Sequence, residues 1–383
     1  MPSQIFHRPD LANTIADLAT GRNRISGLPP GLFLAAPRRT GKSTFLELDV
    51  VPELERRGYL VMYIDLWKNR EELPSKLIAN LIARHLAAQQ GLLARAASSV
   101  GLSKISIQGV EFTLDQVGKA PGASLTEALQ ELRKVSNKKL VLIVDEAQDV
   151  LRESNRMDVM FELKAARDAL NRAELNLALV MSGSDRDKLI RLVHSNAAPF
   201  LGASIEELPH LGREFTNFVA GNVIQARPDL DLDNQRLWEA FEGFTHRPEE
   251  FNEAINSATG AMARPDADVH AAVEEAVLAF QQERDEDYSS LYMALNPLQQ
   301  AVLTWLLSES PRPKMFSQTA LAFYAAMVGK DVSPGSARDA LNSLREMEPA
   351  VIWRSSHGDY ALEESSMLDW YQRRIQQGTW PPG

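Results

Sequence analysis

Hydrophobic and polar positions alternate between two periods over residues 1–208 and keep to one period afterwards. Short, nearly continuous apolar runs at 32–36, 59–66, 140–144 and 175–181 read as buried strands of a parallel sheet. Between them apolar residues recur at helical spacing, as in Leu11, Ile15 and Leu18, or Phe45, Leu46, Val50 and Leu54. The same spacing holds for Leu77, Ile78, Leu81, Ile82 and Leu86, for Leu125, Leu129 and Leu132, and across 157–170. Residues 204–208 add a fifth, edge strand. Strand and helix in turn predict an α/β fold with a five-stranded parallel sheet. Residues 91–122 break the alternation: apolar and polar positions alternate on both sides of Gly109, which predicts a hairpin insertion at about 101–118, a lid, a partner surface or a spacer.

From residue 209 the strand pattern stops. Helical patterns at 212–226, 233–241, 248–258 and 268–282 predict a small all-helical domain over 209–285. A third unit, 286–383, opens with helices at 296–307, 317–328 and 333–346, two of them starting Asn296-Pro297 and Ser333-Pro334. Two short strands, 351–354 and 359–362, follow. Three helices and a hairpin in that order describe a winged helix-turn-helix. On its third helix Ala337, Ala340, Leu341 and Leu344 form the apolar stripe, which leaves Arg338, Asn342 and Arg345 outward, with Arg354 on the wing. These are candidate contacts to nucleic-acid phosphates and base edges; a protein-docking module is the alternative.

The chemistry lies at the strand ends. The first strand runs into Ala36-Pro37-Arg38-Arg39-Thr40-Gly41-Lys42-Ser43-Thr44 and then a helix, the context in which a phosphate-binding loop has meaning. The pattern is G-x-x-x-x-G-K-[ST] with Ala36 at the first glycine position. Such a loop directs backbone N–H groups at a phosphate on a helix N-terminus. Lys42 would reach the β- and γ-phosphates and Ser43 would ligate Mg²⁺. Arg38 and Arg39 point outward as readily as inward, toward acidic groups of the helical domain or a neighbouring subunit. The strand at 140–144 ends in Asp145-Glu146, a carboxylate for the metal and one to polarise the attacking water. The strand at 175–181 ends in Ser182-Gly183-Ser184, whose hydroxyls would face the γ-phosphate.

Composition narrows the class. No cysteine is present, so disulfides and thiolate metal sites are excluded, which fits a cytoplasmic protein. No apolar run is long enough to span a bilayer. The net charge of −10 is concentrated in 209–285, with 6 basic and 15 acidic residues, whereas 1–208 is +2 and 286–383 is −3. No segment has the strongly basic balance of a dedicated nucleic-acid binder.

The Pro-Arg-Arg-Thr-Gly-Lys-Ser loop, the Asp-Glu-Ala-Gln strand end, the Ser-Gly-Ser strand end, the helical lid and the C-terminal winged helix together resemble the archaeal-type ATPases. That family belongs to the STAND branch of P-loop NTPases, related to AAA+ and origin-recognition ATPases. The resemblance runs over nearly the whole chain, with the two Walker motifs its specific part. It implies nucleotide binding from Ala36 to Thr44, Mg²⁺ at Ser43 and Asp145, catalysis at Glu146, and a γ-phosphate sensor at Ser182 or Ser184. A lid sensor would fall at Arg247-Pro248, where His246 stands in place of the family's glycine. Arg191, and after it Arg186, would supply an arginine finger, although Gly202-Ala203 lacks the Gly-Arg of some relatives. ATP rather than GTP follows from the resemblance and from the lack of an Asn-Lys-x-Asp motif. The implied activity is an ATP-driven switch in a DNA-linked process; a nucleotide-dependent scaffold with little turnover is the alternative.

Overall fold

The structure, a computed structural model, describes residues 5–22, 27–29, 31–96, 106–107, 110–111, 124–152, 156–194, 198–260, 268–311, 313–355 and 358–382. It divides into two compact units. One, the sheet unit, is His7–Ala36 with Lys42–Leu208; the other, the helical unit, is Met1–Phe6 and Pro37–Gly41 with Pro209–Gly383.

The sheet unit runs α1 (Pro9–Thr20), β1 (Leu32–Ala35), α2 (Lys42–Phe45), a π-helical turn (Leu46–Val50), α3 (Val51–Arg56), β2 (Leu60–Asp65) and α4 (Pro74–Ala96). It continues with β3 (Ser106–Ile107), β4 (Val110–Glu111), α5 (Leu125–Ser136), β5 (Leu140–Asp145), a 3₁₀ turn (Ala147–Leu151), α6 (Asp158–Leu170), β6 (Leu177–Gly183), α7 (Arg186–His194) and β7 (Ser204–Glu207). The parallel sheet has the order β2-β5-β6-β1-β7. β5 and β6 are buried along their whole length, as continuous apolar runs in a two-sided sheet require. Alternate residues serve opposite faces: Leu140, Leu142 and Val144 join one core, while Val141 and Ile143 join the other.

Register sets up the site. Asp65 lies beside Asp145, and Gly183 beside Ala35, so the carboxyl ends of four strands finish at one edge. The π-turn after α2 has a local cause: Pro52 lacks an N–H and crowds the preceding turn, which opens the helical ladder. Of the expected insertion at 101–118, the described part is β3 and β4, antiparallel to each other; the rest lies outside the described residues.

The helical unit contains α8 (Arg213–Ala226), α9 (Asn234–Gly243), α10 (Pro248–Thr259), α11 (Val269–Ala294), α12 (Pro297–Ser308), α13 (Gln318–Val328), α14 (Pro334–Glu346), β8 (Ile352–Arg354), β9 (Tyr360–Leu362) and α15 (Ser366–Gln377). Its caps match the sequence pattern: Asn296 with Gln299 forms a capping box on α12, and the Ser333 hydroxyl caps α14. Two apolar cores form here, one from α8 to the start of α11 and one from the end of α11 to α15. The sequence reading ends the fourth helix at 282; the structure instead carries α11 unbroken for 26 residues. Glu283-Arg284-Asp285-Glu286-Asp287 lacks an apolar stripe and so reads as a break. It is the polar middle of a helix whose two ends are packed, with Arg284 paired to Glu364 and Asp285 to Arg373. α15, absent from the sequence reading, supplies the fully buried Trp370 to the second core.

Candidate functional site

The loop over 36–44 leaves β1 at Ala36, whose N–H donates to the Gly183 carbonyl on β6 (3.2 Å). Left-handed backbone at Arg39 (φ 62°) and Gly41 (φ 83°) turns the chain before α2 starts at Lys42. Glycine adopts that conformation without cost, whereas Arg39 stores strain there. The Thr40 hydroxyl donates to the Pro37 carbonyl (2.8 Å) and closes the turn.

Lys42 and Asp145 are both buried, and the Lys42 ammonium donates to Asp145 Oδ1 and to Glu146 Oε1 (2.7 Å). Asp145 is the most heavily engaged group. Its Oδ1 also accepts from the Ser182 hydroxyl, and its Oδ2 from the Ser43 hydroxyl and from Tyr63 (3.0 Å). Burial opposes both charges. For Lys42, Asp145 and Glu146 more than offset burial and hold the ammonium above its ordinary value. For Asp145, burial again pushes the wrong way, and Lys42 with the hydroxyl donors holds the carboxyl below its ordinary value. The Tyr63 phenol is raised, by burial first and by the Asp145 charge next.

Glu146 follows β5 at φ 53°, a strained left-handed position for a residue with a side chain. That bend turns it toward the end of β6. Its Oε2 accepts from the Ser184 hydroxyl (2.8 Å) and from the Gln148 amide, which also donates to Ser184 Oγ (3.1 Å). Lys42, Ser43, Asp145, Glu146, Ser182 and Ser184, expected together from the strand ends, are therefore brought together. Gln148 and Tyr63 join them without having been singled out. Gln148 had a signal only in the Asp-Glu-Ala-Gln spacing, which acquires meaning once the 3₁₀ turn folds the amide back over Glu146.

A Ser43 hydroxyl beside an Asp145 carboxylate is a hard-oxygen pair that suits Mg²⁺, an ion that takes few protein ligands and completes its shell with phosphate and water. The carboxylates and the ammonium offer an oxygen donor for a metal, a base for water and a cation for phosphate.

The remaining expected residues fall elsewhere. Arg38 is exposed, and Arg39 pairs with Glu250 Oε1 (3.0 Å) within the helical unit, where Pro248 also lies close to Gly41. Arg247 stands at the N-cap position of α10, before Pro248, and directs its guanidinium to Glu250 (3.7 Å) and Glu364 (3.4 Å). Arg191 pairs with Asp187 one turn earlier on α7 (3.1 Å), and Arg186 with Glu207. On α14 the predicted stripe is buried, Arg338 is exposed with its guanidinium 5.7 Å from the Phe316 ring centre, and Arg345 donates to Asn342 (3.1 Å). Arg354 stands 5.5 Å from the Tyr360 ring centre, and Phe316 and Tyr360 pack edge to face, so two arginines share one aromatic pair.

No protein-family model matches the chain, and no curated protein matches it by sequence. Solved structures do match its fold. The Walker-type ATPase paby2304 of Pyrococcus abyssi superimposes with a TM-score of 0.58 at 15% identity, covering 96% of each chain. The ADP form of the Aeropyrum pernix ORC2 protein gives a TM-score of 0.59 at 15% identity, over 99% of this chain and 96% of that one. The chain thus shares its fold with these two archaeal proteins: a five-stranded parallel sheet of the P-loop NTPase kind followed by helices and a C-terminal winged helix.

Proposed function

We propose that the chain is an ATP-binding, Mg²⁺-dependent ATP-hydrolysing switch of the AAA+/STAND type, whose nucleotide state controls the helical lid and the winged helix in a DNA-linked process. The observation that carries it is the hydrogen-bonded cluster of Lys42, Ser43, Asp145, Glu146, Ser182 and Ser184 at the carboxyl edge of the sheet. Lys42 and the loop from Ala36 to Thr44 bind the phosphates, Ser43 and Asp145 hold Mg²⁺, and Glu146 takes a proton from the attacking water. Bound Mg²⁺ supplies charge neutralisation on the transferring phosphoryl group. Ser184 senses the γ-phosphate, Arg247 and Pro248 contribute from the lid, and Arg191 serves as a finger. The ADP bound in the Aeropyrum pernix ORC2 structure supports the nucleotide class. Arg338, Asn342, Arg345 and Arg354 are the contacts to duplex DNA.

A second reading is a nucleotide-dependent scaffold with little turnover whose winged helix docks protein. It is favoured by Ala203 where a finger arginine stands in some relatives, and by the net charge of −3 over 286–383. The deciding experiment measures Mg²⁺-dependent ATP turnover of the purified full chain with and without duplex DNA. The switch reading expects turnover in the wild type, retained binding without turnover in Glu146→Gln, and loss of binding in Lys42→Ala. Equal, negligible turnover in wild type and Glu146→Gln selects the scaffold. Tight ATP binding by Lys42→Ala refutes the site. Each of Arg338→Ala and Arg345→Ala should reduce the salt slope of DNA binding by about 1; no salt-sensitive binding with or without ATP refutes the DNA link.

A further inference from the structure

The two oxygens of the Glu146 carboxylate are held by different kinds of partner. Oε1 is held by Lys42, the group that the proposed reaction assigns to phosphate. Oε2 is held by two neutral donors, the Ser184 hydroxyl and the Gln148 amide, and these also bond to each other. A triphosphate that draws Lys42 away would therefore free one oxygen and leave the other anchored.

The anchor is built into the fold. Gln148 is only 5% exposed and lies on the 3₁₀ turn that follows the left-handed Glu146. A carboxylate can only accept, so the amide must present its N–H₂ to Glu146 and Ser184. Its oxygen then faces the β6 backbone, buried and without a hydrogen-bond partner. An unpaired buried acceptor costs about 1–3 kcal/mol, and the chain bears that cost in order to keep the amide in this orientation. Gly183 makes room for it: a Cβ on Gly183 would stand 2.1 Å from Gln148 Oε1. A glycine between the two serines is thus required by the amide, since its own backbone has no need of a left-handed conformation.

We infer that Gln148 is a positioning residue for hydrolysis, fixing Glu146 Oε2 so that Oε1, once Lys42 leaves it, is presented to the attacking water. The inference rests on the assignment of Glu146 as the base. Gln148 touches neither phosphate nor water in this scheme, so nucleotide affinity is independent of it and the rate of the chemical step is not. Misplacement of a catalytic group by about 1 Å can cost on the order of 100-fold in rate.

The test uses the full-length protein and compares wild type with Gln148→Met, which keeps the volume against Gly183 and removes both N–H donors. Kd for ATP, kcat and KM are measured with Mg²⁺, together with the melting temperature. The expected result is a fall in kcat of about 10- to 100-fold with Kd and KM within about twofold of wild type. Ser184→Ala, which removes the other donor to the same oxygen, should combine with Gln148→Met less than multiplicatively. If Gln148→Met does not fold, Gln148→Ala serves in its place. Unchanged or increased kcat in a folded variant overturns the inference and leaves the ATPase reading standing. A wild type that binds ATP without turning it over overturns both, and the two failures are told apart by the wild-type rate alone.

Discussion

Removing the Lys42 ammonium should destabilise the nucleotide-free protein, because that cation is shared by two carboxylates that water hardly reaches. Asp145 is fully buried and the Glu146 side chain is 14% exposed, so Lys42→Ala leaves two neighbouring negative charges in a poorly solvated site. Breaking a buried ion pair by deleting one partner costs about 3–5 kcal/mol, a large share of the roughly 5–15 kcal/mol by which a domain is stable. For a unit of this size about 2–4 °C in Tm corresponds to each kcal/mol, so the variant should melt about 6–20 °C below wild type. The assay is calorimetry without nucleotide and in the presence of a chelator, with Lys42→Met as a partner that keeps the aliphatic stem. The pH dependence has a definite sign. Asp145 is held below its ordinary value of 3.8, so its contribution is present above that value and lost as pH falls through the depressed one. Lys42 is held above 10.5, so its contribution is complete below that pH and disappears as pH rises through the raised value. The difference between wild type and variant is therefore flat through neutrality and shrinks toward both extremes. A Lys42→Ala protein that melts within about 1 °C of wild type at neutral pH would refute the shared-cation argument.

Other outcomes follow from individual contacts. Gly183→Ala drives a Cβ into Gln148 and should cost about 1–3 kcal/mol in urea denaturation, the range for overpacking a filled core. Asn296→Ala removes one side of the α12 capping box and should cost about 1 kcal/mol by the same measurement. Burial first and the Glu364 charge next push the Tyr288 phenol up to about 12, so in Glu364→Ala an ultraviolet titration should find it ionising at lower pH; no change would refute the contact.

Much of the fold is legible in the chain because its signals are local. Continuous apolar runs identify β1, β2, β5 and β6, and helix starts are marked by Asn296 and Ser333. Site residues at strand ends are equally legible, since a parallel sheet delivers its carboxyl ends to one edge. Other features depend on where a side chain finds its partner. Arg39 could have faced several anions, and only packing within the helical unit selects Glu250. Arg247 is placed correctly as the residue before α10, yet its guanidinium meets Glu364, 117 residues on, which no spacing rule reaches. Gln148 depends on a strained residue two positions earlier, and backbone strain leaves no periodic trace. The helix end expected at 282 is missed for the opposite reason: a polar stretch resembles a linker whether or not it is helical.

That helix imposes a phase relation on the chain. Val269, Val273 and Val277 must face one core while Tyr288 and Tyr292 face the other, on a single axis about 39 Å long at about 1.5 Å per residue. One residue inserted into the intervening polar stretch would turn both tyrosines by about 100° around the axis and swing them off the second core. An insertion of seven or eleven residues nearly restores the angle, since both are close to whole numbers of turns. The segment from Glu283 to Asp287 is thus constrained in length throughout, since single residues cannot be gained or lost, and in composition where Arg284 meets Glu364 and Tyr288 and where Asp285 meets Arg373.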